Sequence, residues 1–535
     1  MSKKNRQQLI SLSNKAMESA QYLKAITYLT DLIKHEVNNQ EFLKARSDAY
    51  IKTDQFALAL NDLAKLVEAE PNNQISLLNF GVSLLRCNKT NEALEIFLHL
   101  LDLDPKNFGA HLNLCEVYQR LDRPSDQLSV AVKAVAINPQ NSMAYVNLGS
   151  ALGDLKMIAE SREAFLTAIA LDPKNFNANV NLALNDLSLG NYYECIASFE
   201  KILNSENLSV YEEAFVRWTI SSAYLQTGQL EKGWLNYEYG FGLVLGPKGG
   251  RSLEKFPEPK WRGQDLSGKT LIVLREQGLG DEILFSTMYT DLEELNTNII
   301  VQCDARLIDI FQRTYTKLNF VPEGVQLQIS DENKVFRLAA GSLMGFFRKK
   351  IIDFNRPIKS LIPDPNLVLD LKNRLSAYKN KKLVGICWRS GKLLATRNDF
   401  YSVLTDWGEL LKKPRLQFVS LQYGDCEAEV LDAEKKFGIK ILRWPDIDLK
   451  NDLEHVFALI KNLDAVVSVT SAPAPMAGAA GIKTYILSSR YDWVFLGEKK
   501  NYPWFSNNEF FVPQQANSHF IDFLPEIGIS IENLQ

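Results

Sequence analysis

The stretch from Leu271 to Ser286, LIVLREQGLGDEILFS, sets acidic and amide groups at the point where an apolar run gives way to glycines. Leu271 to Leu274 suit a strand buried on both faces, Gly278-Leu279-Gly280 allows a tight turn, and an amphipathic run begins at Asp281. In an open parallel sheet, ligands collect where strands end, because glycines admit close approach and a helix start offers unpaired N–H groups. A carboxylate at that point can take a proton from a bound hydroxyl; it can equally cap the helix it begins. Asp281 is the candidate base, Glu276 its understudy, and Gln277 a candidate for binding hydroxyls.

Other strand ends carry groups suited to an anion. Arg389, Ser390, Lys392 and Arg397 follow the run LVGICW. Cations there would neutralise a developing phosphate charge, or else form a solvated surface loop. Thr470 and Ser471 follow AVVSV and precede Pro473 and the small residues Ala477 to Ala480. Two hydroxyls with the free N–H groups of a proline-led helical turn make an anion site. Gln422 and Tyr423 stand at the end of LQFVSLQ, where base or ribose recognition is expected. Tyr491, Trp493 and Trp504 are expected to pack, since such rings have large apolar surfaces to bury.

The elements that must position these groups follow from the pattern around them. Runs at 271–274, 298–303, 383–388, 416–422, 439–444, 465–469 and 483–487 alternate with helical stretches, which predicts two parallel, doubly wound sheets. Ile358 to Pro365 reads as a hinge between them, and two facing sheets create a cleft. The closing segment, His519 to Asn533, is expected to return as a helix to the first sheet.

Ahead of the sheets lies a repeat with a period of 34 residues. Pro71, Pro105, Pro139 and Pro173 keep that spacing, as do the small residues Ser47, Gly81, Cys115, Gly149 and Ala183, while Phe97, Phe165 and Phe199 are expected to fill the groove between helix pairs. Five good repeats run from about Gln40 to Ser209, after a degenerate one and before a last helical pair ending near Tyr237. This resembles the tetratricopeptide repeat, whose helix pairs stack because none buries its apolar face alone. Asn79, Asn113, Asn147 and Asn181 keep the same spacing on the first helices, which line the concave face of such a solenoid. Each amide carries donor and acceptor, so the ladder can hold an extended backbone, or satisfy groups within the solenoid. It looks like the asparagine ladder of O-GlcNAc transferase, which holds acceptor polypeptide.

Composition bounds the rest. The 535 residues, 46% hydrophobic and 23% charged, are ordinary globular usage with room for about three domains. A net charge of -4 argues against a nucleic-acid partner, and no run is long enough for a signal peptide or membrane span, so a cytoplasmic protein is expected. Six scattered cysteines and five histidines suggest neither a disulfide framework nor a bound metal.

The segments PEPKWRGQDLSGKTLIVLREQGLGDEILFS, WRSGK with RNDFYSV, FVSLQYGDCEAEV, DLEHVFALIKNLDAVVSVTSAPAPMAGAAG and YDWVFLGEKKNYPWF occur in this order. They resemble the tetratricopeptide-repeat glycosyltransferases whose catalytic half is similar to bacterial heptosyltransferases. The resemblance implies an α-solenoid followed by two facing Rossmann-like α/β domains (GT-B), a nucleotide-sugar co-substrate with no other cofactor or metal, and inversion at the anomeric carbon. Some relatives modify flagellin or other surface proteins with nonulosonic acids. Asp281 occupies the aspartate of the family's Gly-Asp pair, with Arg389, Ser390, Lys392, Arg397, Gln422, Tyr423, Thr470 and Ser471 on the donor side. Gln277 and the four asparagines fall on the acceptor side. The chain departs from the heptosyltransferase pattern at Thr470-Ser471-Ala472, in place of Asp-Thr-Ser, and at Pro475, where a histidine is usual. That departure puts heptose in doubt and leaves open a site that binds without turnover.

The expected organisation is a repeat solenoid over 1–239, a linker at 240–265, an acceptor-side sheet domain at 266–358 and a nucleotide-sugar domain at 359–535. The expected activity is transfer of a sugar to a Ser or Thr hydroxyl of a polypeptide held by the repeats. A non-catalytic scaffold and transfer to a glycan acceptor are the alternatives.

Overall fold

The computed structural model describes residues 2–205, 208–241, 259–325, 327, 334–390, 402–513 and 518–534. By packing, the chain divides into two parts, Met1–Ser188 and Leu189–Gln535.

The first part is helical throughout. Each first helix of a pair starts on an asparagine two residues after the repeat's proline: Asn73, Asn107, Asn141 and Asn175 accept the N–H of the residue three further on, at 3.0 to 3.1 Å. Such a cap satisfies one of the four N–H groups a helix start leaves unpaired. Within a pair, the small residue of the first helix receives the phenylalanine of the second. A Cβ on Gly81 would lie 2.5 Å from the Phe97 ring, and one on Gly149 2.5 Å from Phe165. Phe97 therefore seats first on its own pair, while its cluster extends to Leu114 and Cys115 of the next.

The turns between paired helices keep the period too. Ala20, Asp54, Asn88, Asp122 and Lys156, spaced 34 residues apart, all have φ between 53° and 63°, and Gly190, the next in register and the start of the second part's first turn, has φ 80°. This left-handed conformation costs an L side chain about 1–2 kcal/mol and glycine nothing.

The second part holds two sheets. The first has strands β1 (Thr270–Leu274), β2 (Asn298–Cys303), β3 (Asn319–Pro322) and β4 (Val335–Ala339), in the order β3-β2-β1-β4. The second has β5 (Lys382–Cys387), β6 (Leu416–Ser420), β7 (Ile441–Leu442), β8 (Ala465–Val469), β9 (Lys483–Leu487) and β10 (Glu509–Phe511), in the order β10-β9-β8-β5-β6-β7. Every pairing between named strands is parallel. β1 lies between β2 and β4, with Val273 opposite Val301 and Leu338. In the second sheet the order reverses between β5 and β8, where Ile386 faces Val467 on one side and Ser420 on the other. That reversal is the switch point at which doubly wound sheets bind ligands.

Helices Tyr192–Leu203, Val210–Gln226 and Leu230–Tyr237 fall in the second part. Leu225, Leu230, Trp234 and Tyr237 share one buried core with Leu271, Val273 and Phe285 of the first sheet. Trp234 Nε1–H donates to the Arg348 carbonyl at 2.9 Å. Most of the expected linker, residues 242–258, lies outside the described residues.

The segment expected as a hinge crosses between the sheets in extended form. Its Ile362 N–H donates to Thr314 Oγ1 (3.0 Å), on the first-sheet side, while Leu361 N–H donates to the Ala479 carbonyl (2.8 Å) and Asp364 N–H to Glu454 Oε2 (3.0 Å) on the other. The closing helix, Leu524–Glu532, does not return to the first sheet as expected. Leu524, Ile527 and Ile531 pack with Val384, Trp407 and Leu410 of the second, and Tyr485 Oη of β9 meets Ser530 Oγ at 2.8 Å.

Candidate active site

Around the switch point, the ends of β1, β5, β6, β8 and β9 enclose a cavity of about 840 Å³, within the range of small-molecule sites. The glycine loop after β1 supplies Gly278 to Asp281, the turn after β5 supplies Ser390, β6 leads to Tyr423, and β8 to Thr470 and Ser471. A smaller cavity of about 230 Å³ opens from the same loop and shares Gly280, Asp281, Thr470, Ser471, Ala472 and Asp492 with the larger one.

Local structure explains the loop. Gln277, exposed, has φ 64°, an unusual conformation for a residue with a side chain. It brings the chain round so that helix Leu279–Phe285 starts beneath β1, and Asp281 Oδ2 accepts the Gly278 N–H at 3.2 Å. Asp281 thus serves the loop and also lines both cavities. Glu276 is placed differently. It is buried, accepts the Gly341 N–H, and takes the Tyr237 hydroxyl at 3.0 Å. The Gln277 amide reaches the same hydroxyl at 3.3 Å. Neither Glu276 nor Gln277 is among the residues lining the two cavities.

The donor-side residues divide in the same way. Ser390, Tyr423, Thr470 and Ser471 face the larger cavity. Ser471 is also tied inward, its Oγ 3.4 Å from Cys387 Sγ and 3.3 Å from Ser468 Oγ. Arg389 is buried against Glu429, with Nη2 at 2.5 Å and Nε at 2.9 Å from Oε1, and Nη2 also donates to the Asp425 carbonyl at 2.7 Å. This carboxylate, the main cause, raises the guanidinium's pKa above its ordinary value, so the charge is met inside the protein. Gln422 is equally internal: its Oε1 accepts the N–H groups of Trp388 and Arg389 at 3.2 and 3.1 Å. Lys392 and Arg397 lie outside the described residues. Pro475 lines the smaller cavity, and a Cβ on Gly280 would meet its Cγ at 3.6 Å.

Four residues of the larger cavity were not anticipated: Arg306, Lys450, Arg490 and Asp492. Arg306 follows β2 and is held by Asp304 (Nε to Oδ1 2.8 Å, Nη2 to Oδ2 2.8 Å), with Nη1 donating to the Lys450 carbonyl at 2.7 Å. Asp304 in turn sits at about 2, lowered first by its hydrogen bonds from the Arg306 side chain. Arg490 and Asp492 follow β9. Burial raises the Asp492 pKa above its ordinary value, against the N–H groups of Trp493 and Val494 and the charge of Arg490. The signal for Asp492 was an acidic residue shortly after a buried strand, in the run SSRYDW.

Of the asparagines, Asn113 donates to the Gly109 carbonyl of its own helix at 2.7 Å, Asn79 to Asp48 Oδ1 at 3.4 Å, and Asn147 to the Leu112 carbonyl at 3.5 Å. These amides and that of Asn181 are partly exposed. Among the described residues no helix is long and apolar enough to cross a membrane.

Residues 144–175 match the tetratricopeptide-repeat family profile. Protein FlbA of Caulobacter vibrioides is 32% identical over 346 residues, which cover 62% of this chain; the chain spans 57% of the length of that relative. Among solved structures, a tetratricopeptide repeat protein from Parabacteroides merdae is 17% identical with a TM-score of 0.40, covering 44% of this chain and 91% of its own. MamA from Desulfovibrio magneticus is 22% identical with a TM-score of 0.29, covering 31% of this chain and 93% of its own. The chain therefore carries tetratricopeptide repeats ahead of an α/β part with parallel sheets.

Proposed function

We propose that this chain is an inverting, metal-independent protein O-glycosyltransferase of GT-B architecture, working on a polypeptide gripped by the repeat solenoid. The supporting observation is the meeting of Asp281 with Ser390, Tyr423, Thr470 and Ser471 around one cavity at the strand switch point. In the proposed step, the oxygen of an acceptor Ser or Thr attacks the anomeric carbon, and the bond from that carbon to the nucleotide phosphate breaks. Asp281 takes the hydroxyl proton and the nucleotide leaves with the bonding electrons. Positioned general bases typically contribute 10²–10⁴-fold to such steps. The sugar donor is the only co-substrate, and the half-buried asparagines are the proposed contacts for the acceptor backbone.

A scaffold that binds without turnover is the second reading, favoured by the commitment of Arg389 to Glu429 and by Pro475 on the cavity wall. One experiment separates the two. The full chain is incubated with candidate acceptors, flagellin among them, and a panel of nucleotide sugars, and intact mass is measured. A sugar-sized mass gain on the acceptor, lost at least 100-fold in Asp281→Asn while donor binding persists, supports transfer. Donor binding with no product on any acceptor supports the scaffold, and a product confined to glycan would redirect the acceptor class.

A further inference from the structure

The two cavities share one wall and differ in charge. The larger is lined by Arg306, Lys450 and Arg490, cations suited to phosphate oxygens, alongside Asp281 and Asp492. The smaller has no lysine or arginine among its described lining residues, and joins Asp281 and Asp492 to Trp493, Phe495 and Tyr502. At about 230 Å³ it is less than a third the size of the larger cavity, and so suits the smaller part of a nucleotide sugar. Ionised carboxylates only accept hydrogen bonds, so two of them beside Thr470 select a group rich in donors. The rings of Trp493, Phe495 and Tyr502 in the same lining favour a group with an apolar face. A pyranose has both.

The segment carrying Asp492 is held before any ligand arrives. Phe495 N–H donates to the Asp492 carbonyl at 3.1 Å, Trp504 Nε1–H donates to the Val494 carbonyl at 2.8 Å, and the Trp493 and Trp504 rings meet edge-on at 6.0 Å. The charges of Asp492 and Asp281 both act on the buried Tyr502 hydroxyl, whose pKa is raised first by burial and then by them. Asp281, Asp492 and Tyr502 all line the smaller cavity.

We infer that the smaller cavity is the donor-sugar subsite, in which Asp492 accepts hydrogen bonds from ring hydroxyl or N-acyl N–H groups while the phosphates occupy the cationic larger cavity. This rests on the glycosyltransferase function proposed above and adds a specificity residue to it. Both carboxylates stand on the wall the two cavities share; Asp492 is assigned to the ring and Asp281 to the acceptor hydroxyl.

The test is calorimetric binding of matched pairs to the full chain: UDP with UDP-N-acetylglucosamine, GDP with GDP-mannose, and CMP with CMP-N-acetylneuraminic acid. For the pair that binds, Asp492→Asn weakens the nucleotide sugar about tenfold or more and the bare nucleotide at least fivefold less than that. Retained binding of the bare nucleotide reports that the variant is folded. Equal weakening of both members, or of neither, overturns the subsite and leaves glycosyl transfer standing. If no member of any pair binds, the nucleotide-sugar function itself is overturned, and the subsite with it.

Discussion

At Gly341 the fold leaves no room for a methyl group. A Cβ there would fall 2.7 Å from the Tyr237 hydroxyl and 3.0 Å from the Phe285 ring, and would crowd the Glu276 carboxylate that accepts the Gly341 N–H. Gly341→Ala is expected to destabilise the second part by about 1–3 kcal/mol, read by chemical denaturation of the full chain. Asp304 offers a test by pH. Its folded value of about 2 lies below the ordinary 3.8, so its pairing with Arg306 stabilises the fold fully above 3.8. That contribution is lost as pH falls toward 2. Asp304→Asn should flatten the melting temperature against pH between about 3.8 and about 2 relative to the parent. Residue type and strand-end position pointed to Asp281, Thr470, Ser471, Ser390 and Tyr423, which line one cavity. They could not separate these from Glu276, Arg389 and Gln422, equally polar and at equivalent ends, whose side chains are engaged inside. That difference depends on partners such as Glu429, 40 residues away in the chain.

The period of 34 was legible from proline and small residues because each reports a steric need that recurs. The same need appears at Lys156, whose φ of 63° falls where the next turn in register uses Gly190. Lys156→Gly should raise the stability of the first part by about 1 kcal/mol through relief of the left-handed penalty, measured by urea unfolding of the full chain with a probe in the repeats. Among strands, the long apolar runs were legible, whereas NFVP, VFRLA and EFF were not. Those three are short and stand at sheet edges, each with a single strand neighbour. The run 439–444 shortened to Ile441–Leu442 for the same reason, since β7 is an edge with one neighbour.

At the scale of the molecule, composition shifts mark a border near 240, whereas packing marks one at Ser188–Leu189. The later helices look like further repeats because their periodicity is local; only the core shared by Trp234, Tyr237 and the first sheet shows whom they serve. A chain starting at Leu189 should therefore melt cooperatively near the temperature of the second part in the full protein. One starting at Gly240 should bind a hydrophobic dye and lose its sharp transition, as scanning calorimetry with fluorescence would show. The Tyr237 hydroxyl donates to Glu276, immediately ahead of the loop that bears Asp281. A lineage exchanging one solenoid for another can consequently recombine upstream of residue 189 at little cost. A crossover at 240 would import a foreign helix as a wall of the loop that bears Asp281, so natural hybrids should inherit helices 192–237 together with their sheets.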